Sequence, residues 1–103
     1  MRRLLSAPAP RDILDRAWRL APGVAVRPEA FGALLYSFST RRLSFLKDPR
    51  LLAVVQALPA EPTARAACAA AGLDIADLPA YSRALSTLAS TAMIEERMIE
   101  ESP

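Results

Sequence analysis

In "STRRLSFLKDPR" (39–50) four cations, Arg41, Arg42, Lys47 and Arg50, bracket a short run that alternates apolar and polar side chains, Leu43-Ser44-Phe45, and then closes on Leu46. Guanidinium and ammonium groups at that density draw an anionic partner, and alternation is the mark of a strand. The chemistry on offer is recognition, not bond-making. Charge along the 103-residue chain agrees: residues 1–50 hold ten Lys/Arg against four Asp/Glu, a net +6, whereas residues 51–103 stand at −4. Such asymmetry fits either a solvated dipolar surface or a basic site that meets an acidic partner.

The groups that bond-making needs are missing. There is no histidine, and so no ordinary general base. No Cys/His metal spacing, glycine-rich phosphate loop or glycine-flanked serine occurs. No enzyme activity, catalytic residue, metal site or cofactor is therefore expected. Cys68 stands alone in "ARAACAAAG", so an internal disulfide is impossible, and a buried thiol is favoured over a nucleophile that nothing would activate. No span reaches the roughly 18 apolar residues of a membrane helix, and Leu4-Leu5 is too short for a signal-peptide core. The expectation is a cytoplasmic protein with no membrane partner.

Positioning the basic stretch requires a fold, and 52% hydrophobic residues over 103 suit one small domain. The expected organisation is a flexible arm over 1–16 with one helical turn near Ile13-Leu14, a folded unit over 17–94, and an acidic, fraying tail over 95–103. "VAVRP" reads as a short strand ended by Pro28, followed by strands Gly32–Phe38 and Leu43–Leu46. Even-numbered loops set Phe38 opposite Leu43 and Tyr36 opposite Phe45, which gathers Leu34, Tyr36, Phe38, Leu43 and Phe45 on one face. With no Gly or Asn in the elbow, a four-residue loop Ser39–Arg42 is preferred, and the apolar face is expected to pack on the helices. In that register the direction of the Ser44 N–H depends on whether the Phe38–Leu43 pair is hydrogen-bonded.

Three helices follow. Asp48-Pro49 is an N-cap and first-turn proline before "RLLAVVQAL". A second helix spans about 63–71 and stops at Gly72, and a third begins between Asp74 and Asp77, with Leu78, Tyr81, Leu85 and Leu88 at helical spacing. The fold class is thus α+β, a three-stranded antiparallel sheet followed by three helices. "ARAACAAAGLDIADLPAYSRAL" (64–85) also has the layout of a helix–turn–helix, but its second helix offers Arg83 beside Asp77, so nucleic acid is disfavoured as a partner.

The stretches "RPEAFGALLYSFSTRRLSFLKDPRLLAVVQAL" and "ACAAAGLDIADLPAYSRALSTLASTAMI" resemble the mycofactocin biosynthesis chaperone family (MftB type), most specifically in "GALLY" followed by "TRRLSFL". The resemblance covers about 18–94. That family is in turn similar to PqqD-like peptide-recognition elements, which implies a small winged-helix-like domain. It also implies a function: holding the leader of a small ribosomally made precursor peptide and presenting it to a radical S-adenosylmethionine maturase, which acts on a Val-Tyr C-terminus. The leader would add as a strand along the third strand and lie beside the third helix. The residues expected to meet it are Arg41, Arg42, Leu43, Ser44, Phe45, Leu46, Lys47, Arg50, Tyr81, Leu85 and Leu88. By spacing alone Tyr81, Leu85, Leu88 and Phe45 fit a core at least as well as a groove. A DNA-binding winged helix and a structural subunit of a larger enzyme are the competing readings.

Overall fold

The structure, a computed structural model, describes residues 12–97. Its strands are β1 (Trp18–Leu20), β2 (Val24–Glu29), β3 (Gly32–Ser37), β4 (Arg42–Leu46) and β5 (Ile94–Glu96), and its helices are α1 (Pro49–Ala57), α2 (Ala64–Ala70) and α3 (Leu78–Ser90). β2, β3 and β4 form one antiparallel sheet in that order, with β3 central; β1 and β5 pair as a separate antiparallel ribbon. The α+β class and the order of three strands then three helices are as the sequence indicates. The likeness to a winged helix is loose, since the β1–β5 ribbon joins the two ends of the described chain.

Local chemistry starts each helix where the sequence placed it. The Asp48 carboxylate accepts from the Arg50 N–H at 2.9 Å and Pro49 opens α1. The Thr63 hydroxyl accepts from the Ala66 N–H at 3.1 Å at the head of α2. A 3-10 turn, Ile75–Asp77, leads into α3, its Asp77 carboxylate accepting from the Asp74 N–H at 3.0 Å. Leu51, Val54 and Val55 of α1, Cys68 of α2, and Tyr81, Leu85 and Leu88 of α3 converge in one buried core. Burial pushes the Cys68 thiol pKa up, which keeps it protonated and inert.

The hairpin register differs from expectation by two residues. Ser37 faces Arg42, Tyr36 faces Leu43 and Leu34 faces Phe45, so the four-residue loop is Phe38–Arg41. Ser37 is the cause. Its hydroxyl accepts from the Thr40 N–H at 3.2 Å and its carbonyl from the Arg41 N–H at 2.8 Å, which ends the strand one residue early. Arg41 closes the loop at φ 62°, a left-handed position that sequence reasoning reserves for Gly or Asn. Gly32, at φ 146°, starts β3 so close to β4 that a Cβ there would lie 2.0 Å from the Leu46 carbonyl oxygen.

The partition into faces holds, because a shift of two residues preserves parity, but the direction is reversed. Ala33, Leu35, Ser37 and Leu46 face the core, and Leu34, Tyr36, Leu43 and Phe45 face outward. Helix α1 packs across β3, whose inward face carries Ala33, Leu35 and Ser37 and not the aromatic stripe. Pro28 does not end β2 either. It sits inside the strand opposite Ala33, at an edge position where no N–H is required.

Most of the arm expected over 1–16 lies outside the described residues, as does most of the tail. Ile13 and Leu14, in a 3-10 turn, are buried in the core. Glu95 and Glu96, placed in a fraying tail by composition, belong to β5. Arg19 lies opposite Glu95 in register with a 2.6 Å ion pair, and Arg16 meets Glu96 at 3.4 Å. Arg97 then donates to the Trp18 carbonyl at 2.9 Å and to the carbonyls of Leu58 and Glu61.

Candidate functional site

A strand pair has two kinds of position, those bonded across the pair and those directed away from it. The Phe38 N–H donates to the Gly23 carbonyl at 3.0 Å, and Pro28, without an N–H, faces Ala33. Both observations fix the alternation: Gly32, Leu34 and Tyr36 bond toward β2, and Ala33, Leu35 and Ser37 bond toward β4. Arg42, Ser44 and Leu46 therefore spend their main-chain groups inside the hairpin. Leu43 and Phe45 direct theirs to the free edge. Ser44, the doubtful case in the sequence, points inward.

That edge borders a groove of about 410 Å3, lined by β4 from Leu43 to Lys47, by Leu51 of α1, and by Ala84, Thr87 and Leu88 of α3. It continues into an apolar hollow of about 230 Å3 walled by Asp48, Ala80 and Tyr81, with Lys47, Leu51 and Ala84 common to both. A strand added at the edge would find acceptors and donors along β4 and a trough for alternate side chains against α3. A larger hollow of about 520 Å3, around Asp12, Arg65 and Arg83, has no strand beside it.

The position of α3 relative to β4 is held by a polar cluster. Tyr81 donates its hydroxyl to the Asp48 carboxylate, and Arg50 reaches Asp48 at 3.8 Å, Asp77 at 3.7 Å and the face of the Tyr81 ring at 5.7 Å. The Tyr81 hydrogen bond, helped by the Arg50 amide and guanidinium, holds the Asp48 carboxyl below its usual range despite some burial. Burial, with the bond to Asp48, pushes the Tyr81 hydroxyl up to about 12.

The sequence-expected residues thus divide. Leu43, Ser44, Phe45, Leu46, Lys47 and Leu88 line the groove, and Tyr81 lines its extension. Leu85 is fully buried and lines neither; it is core. Arg41 and Arg42 stand exposed at the loop end of β4 with no acidic partner among the described residues, whereas Arg50 is engaged by Asp48 and Asp77. Sequence reading missed Ala80, Ala84 and Thr87. Ala80 and Ala84 lie a turn apart beside the Tyr81–Leu85–Leu88 stripe, and their contribution is the space that small side chains leave. Among the described residues no group of His, Cys, Asp or Glu could hold a metal, and no helix is long and apolar enough to cross a membrane.

Known proteins match this chain over nearly all of it. The family described as Peptide chaperone MftB matches residues 17–95. The peptide chaperone MftB of Mycobacterium tuberculosis is 52% identical over 103 residues, covering 91% of this chain and 94% of the relative. That of Mycolicibacterium smegmatis is 49% identical over 80 residues, 78% of each. No solved structure matches. The relatives are named for a chaperone role, which is not a catalytic one. The chain belongs to the peptide chaperone MftB family.

Proposed function

We propose that the chain binds the leader of the mycofactocin precursor peptide as a fourth strand along β4 and presents it to a radical S-adenosylmethionine maturase in the cytoplasm. The observation that carries this reading is the free edge of β4, with the main-chain groups of Leu43 and Phe45 directed into a groove against α3. Edge addition supplies affinity through main-chain hydrogen bonds, and the trough supplies selectivity for alternate side chains. Arg41, Arg42 and Lys47 give the edge a positive field that favours an acidic leader. All chemistry on the peptide's Val-Tyr end belongs to the maturase. The family membership and the names of the relatives support a peptide as the ligand.

The test is a titration of the chain alone with a labelled precursor peptide, without metal or nucleotide. Saturation at about one peptide per chain is expected. No binding at micromolar concentrations, in the absence of the maturase, would overturn the reading.

A further inference from the structure

The outward face of the sheet is unusually apolar for a surface. Phe31, Phe38, Leu43 and Phe45 are 44%, 65%, 56% and 57% exposed. They are continuous. The Phe31 and Phe45 rings lie 6.4 Å apart, Phe45 faces Leu34, Leu43 faces Tyr36, and the Tyr36 and Phe38 rings meet edge-on at 4.9 Å. Exposed patches of this kind mark interaction surfaces, and aromatic side chains are enriched where proteins meet. Cations rim the patch at the β4 side, Arg41 at the loop and Lys47 beyond Phe45; on the β2 side Arg27, beside Leu34, is ion-paired with Glu29 at 2.7 Å.

We propose that this face is a second docking surface, used by a folded protein with an apolar centre and an acidic rim, and that this protein is the enzyme that receives the peptide; the identification rests on the function proposed above. Charge complementarity selects the occupant. A second copy would meet this face with its own cations, since a two-fold contact sets like patches together. Residues 1–11 carry Arg2, Arg3 and Arg11 and match no better. Residues 98–103 are acidic but continue from Arg97, whose guanidinium is held by the carbonyls of Trp18, Leu58 and Glu61 on the helix side of the sheet.

The two surfaces share a strand without competing for it. Leu43 and Phe45 give their main chain to the edge and their side chains to the outer face. A guest strand on β4 widens the same sheet, so a protein seated on its outer face also meets alternate side chains of the peptide. Presentation then has a geometry: the peptide is held by its backbone and read from the outside.

The test uses the full chain and the paired variant Phe31→Ser/Phe38→Ser, which leaves β4 and α3 untouched, with folding checked by circular dichroism. Each is titrated with labelled precursor peptide, with the purified radical S-adenosylmethionine maturase of the proposed function, and with anionic phospholipid vesicles. Peptide affinity should stay within about twofold and enzyme affinity should fall at least about tenfold, with Phe31→Leu/Phe38→Leu recovering most of it. The proposal is overturned if the wild-type chain does not bind the enzyme, if the folded serine pair binds it as well as wild type, if peptide and enzyme affinity fall together, or if vesicle binding is what the pair abolishes. Should the serine pair not fold, Arg27→Glu takes its place, and unchanged enzyme affinity at low salt overturns the proposal. Failure of the wild-type chain to bind peptide sinks the functional reading and leaves the enzyme titration to decide the face.

Discussion

The two edges of the three-stranded sheet are built differently. On β2 the outward positions are Val24, Val26 and Pro28; the Val24 N–H is already taken by the Ala21 carbonyl at 3.1 Å and Pro28 has none, so Val26 is the remaining donor. On β4 Leu43 and Phe45 both point outward, beside a groove and between cations. Unpaired edges invite other strands, and proteins usually blunt them with proline or charge. Here one edge is blunted and the other is left open. The difference shows that an open edge is not a default of so small a sheet, and the binding role proposed for β4 rests on it.

The largest effect is expected from making β4 resemble β2. Phe45→Pro removes an outward donor and leaves the hairpin ladder intact, so the fold should persist while peptide affinity drops about a hundredfold. Ser44→Pro is its counterpart. It removes an inward donor opposite Leu35 and should cost the fold about 1–3 kcal/mol. Melting curves and peptide titrations on both variants separate the two losses. If Phe45→Pro melts normally and binds normally, strand addition at this edge is excluded.

Charge comes next. Arg41→Glu with Arg42→Glu should slow association about tenfold at low salt, with a smaller effect at high salt, because exposed cations steer more than they hold. Stability should change by no more than about 0.5 kcal/mol. Stopped-flow binding across a salt series checks this, and unchanged rates in the folded variant would remove both arginines from the site.

The anchor between α3 and the β4 edge predicts a smaller, pH-dependent effect. Tyr81 has its pKa raised to about 12, so its contribution to stability is fully present below its unfolded value near 10 and is lost as pH climbs from about 10 through about 12. Asp48 is depressed, so its contribution is present above the usual carboxylate range and lost as pH falls through its lowered value. Tyr81→Phe should cost about 1 kcal/mol at neutral pH and flatten the alkaline limb of stability measured between pH 9 and 12. An unchanged alkaline limb would mean that Tyr81 does not anchor the helix. Smallest of all, Pro28→Ala restores a donor to β2 but no groove, so peptide affinity should stay within about twofold. A gain beyond that would show that an open edge suffices without α3.

How much of this was legible depended on whether the signal was local. Asp48-Pro49 and Gly72 act within a turn, and α1 and α2 lie where they placed them, while the start expected between Asp74 and Asp77 is a 3-10 turn that leads into α3 at Leu78. Alternation gave the two faces of the hairpin correctly, since it is a property of the strand itself. Which face turns inward is decided by the helices that pack there, and a stripe of aromatics misleads because apolar character alone does not say which face they will cover. The β1–β5 ribbon was missed because three-residue strands carry no measurable period and Glu95-Glu96 reads as tail until Arg16 and Arg19 are placed opposite. In the site the cations and β4 were visible in sequence, while Ala80 and Ala84 were not, because what they contribute is vacancy.

The central claim is that the guest strand bonds to Leu43 and Phe45. Residue-resolved amide hydrogen exchange, with and without saturating precursor peptide, tests it most directly. Without peptide, Ser44 and Leu46 should exchange slowly and Leu43 and Phe45 fast; with peptide, the latter two should slow by orders of magnitude while Val26 on the opposite edge does not change. Bound peptide that leaves Leu43 and Phe45 exchanging as fast as before, or that protects Val26 instead, would contradict the account.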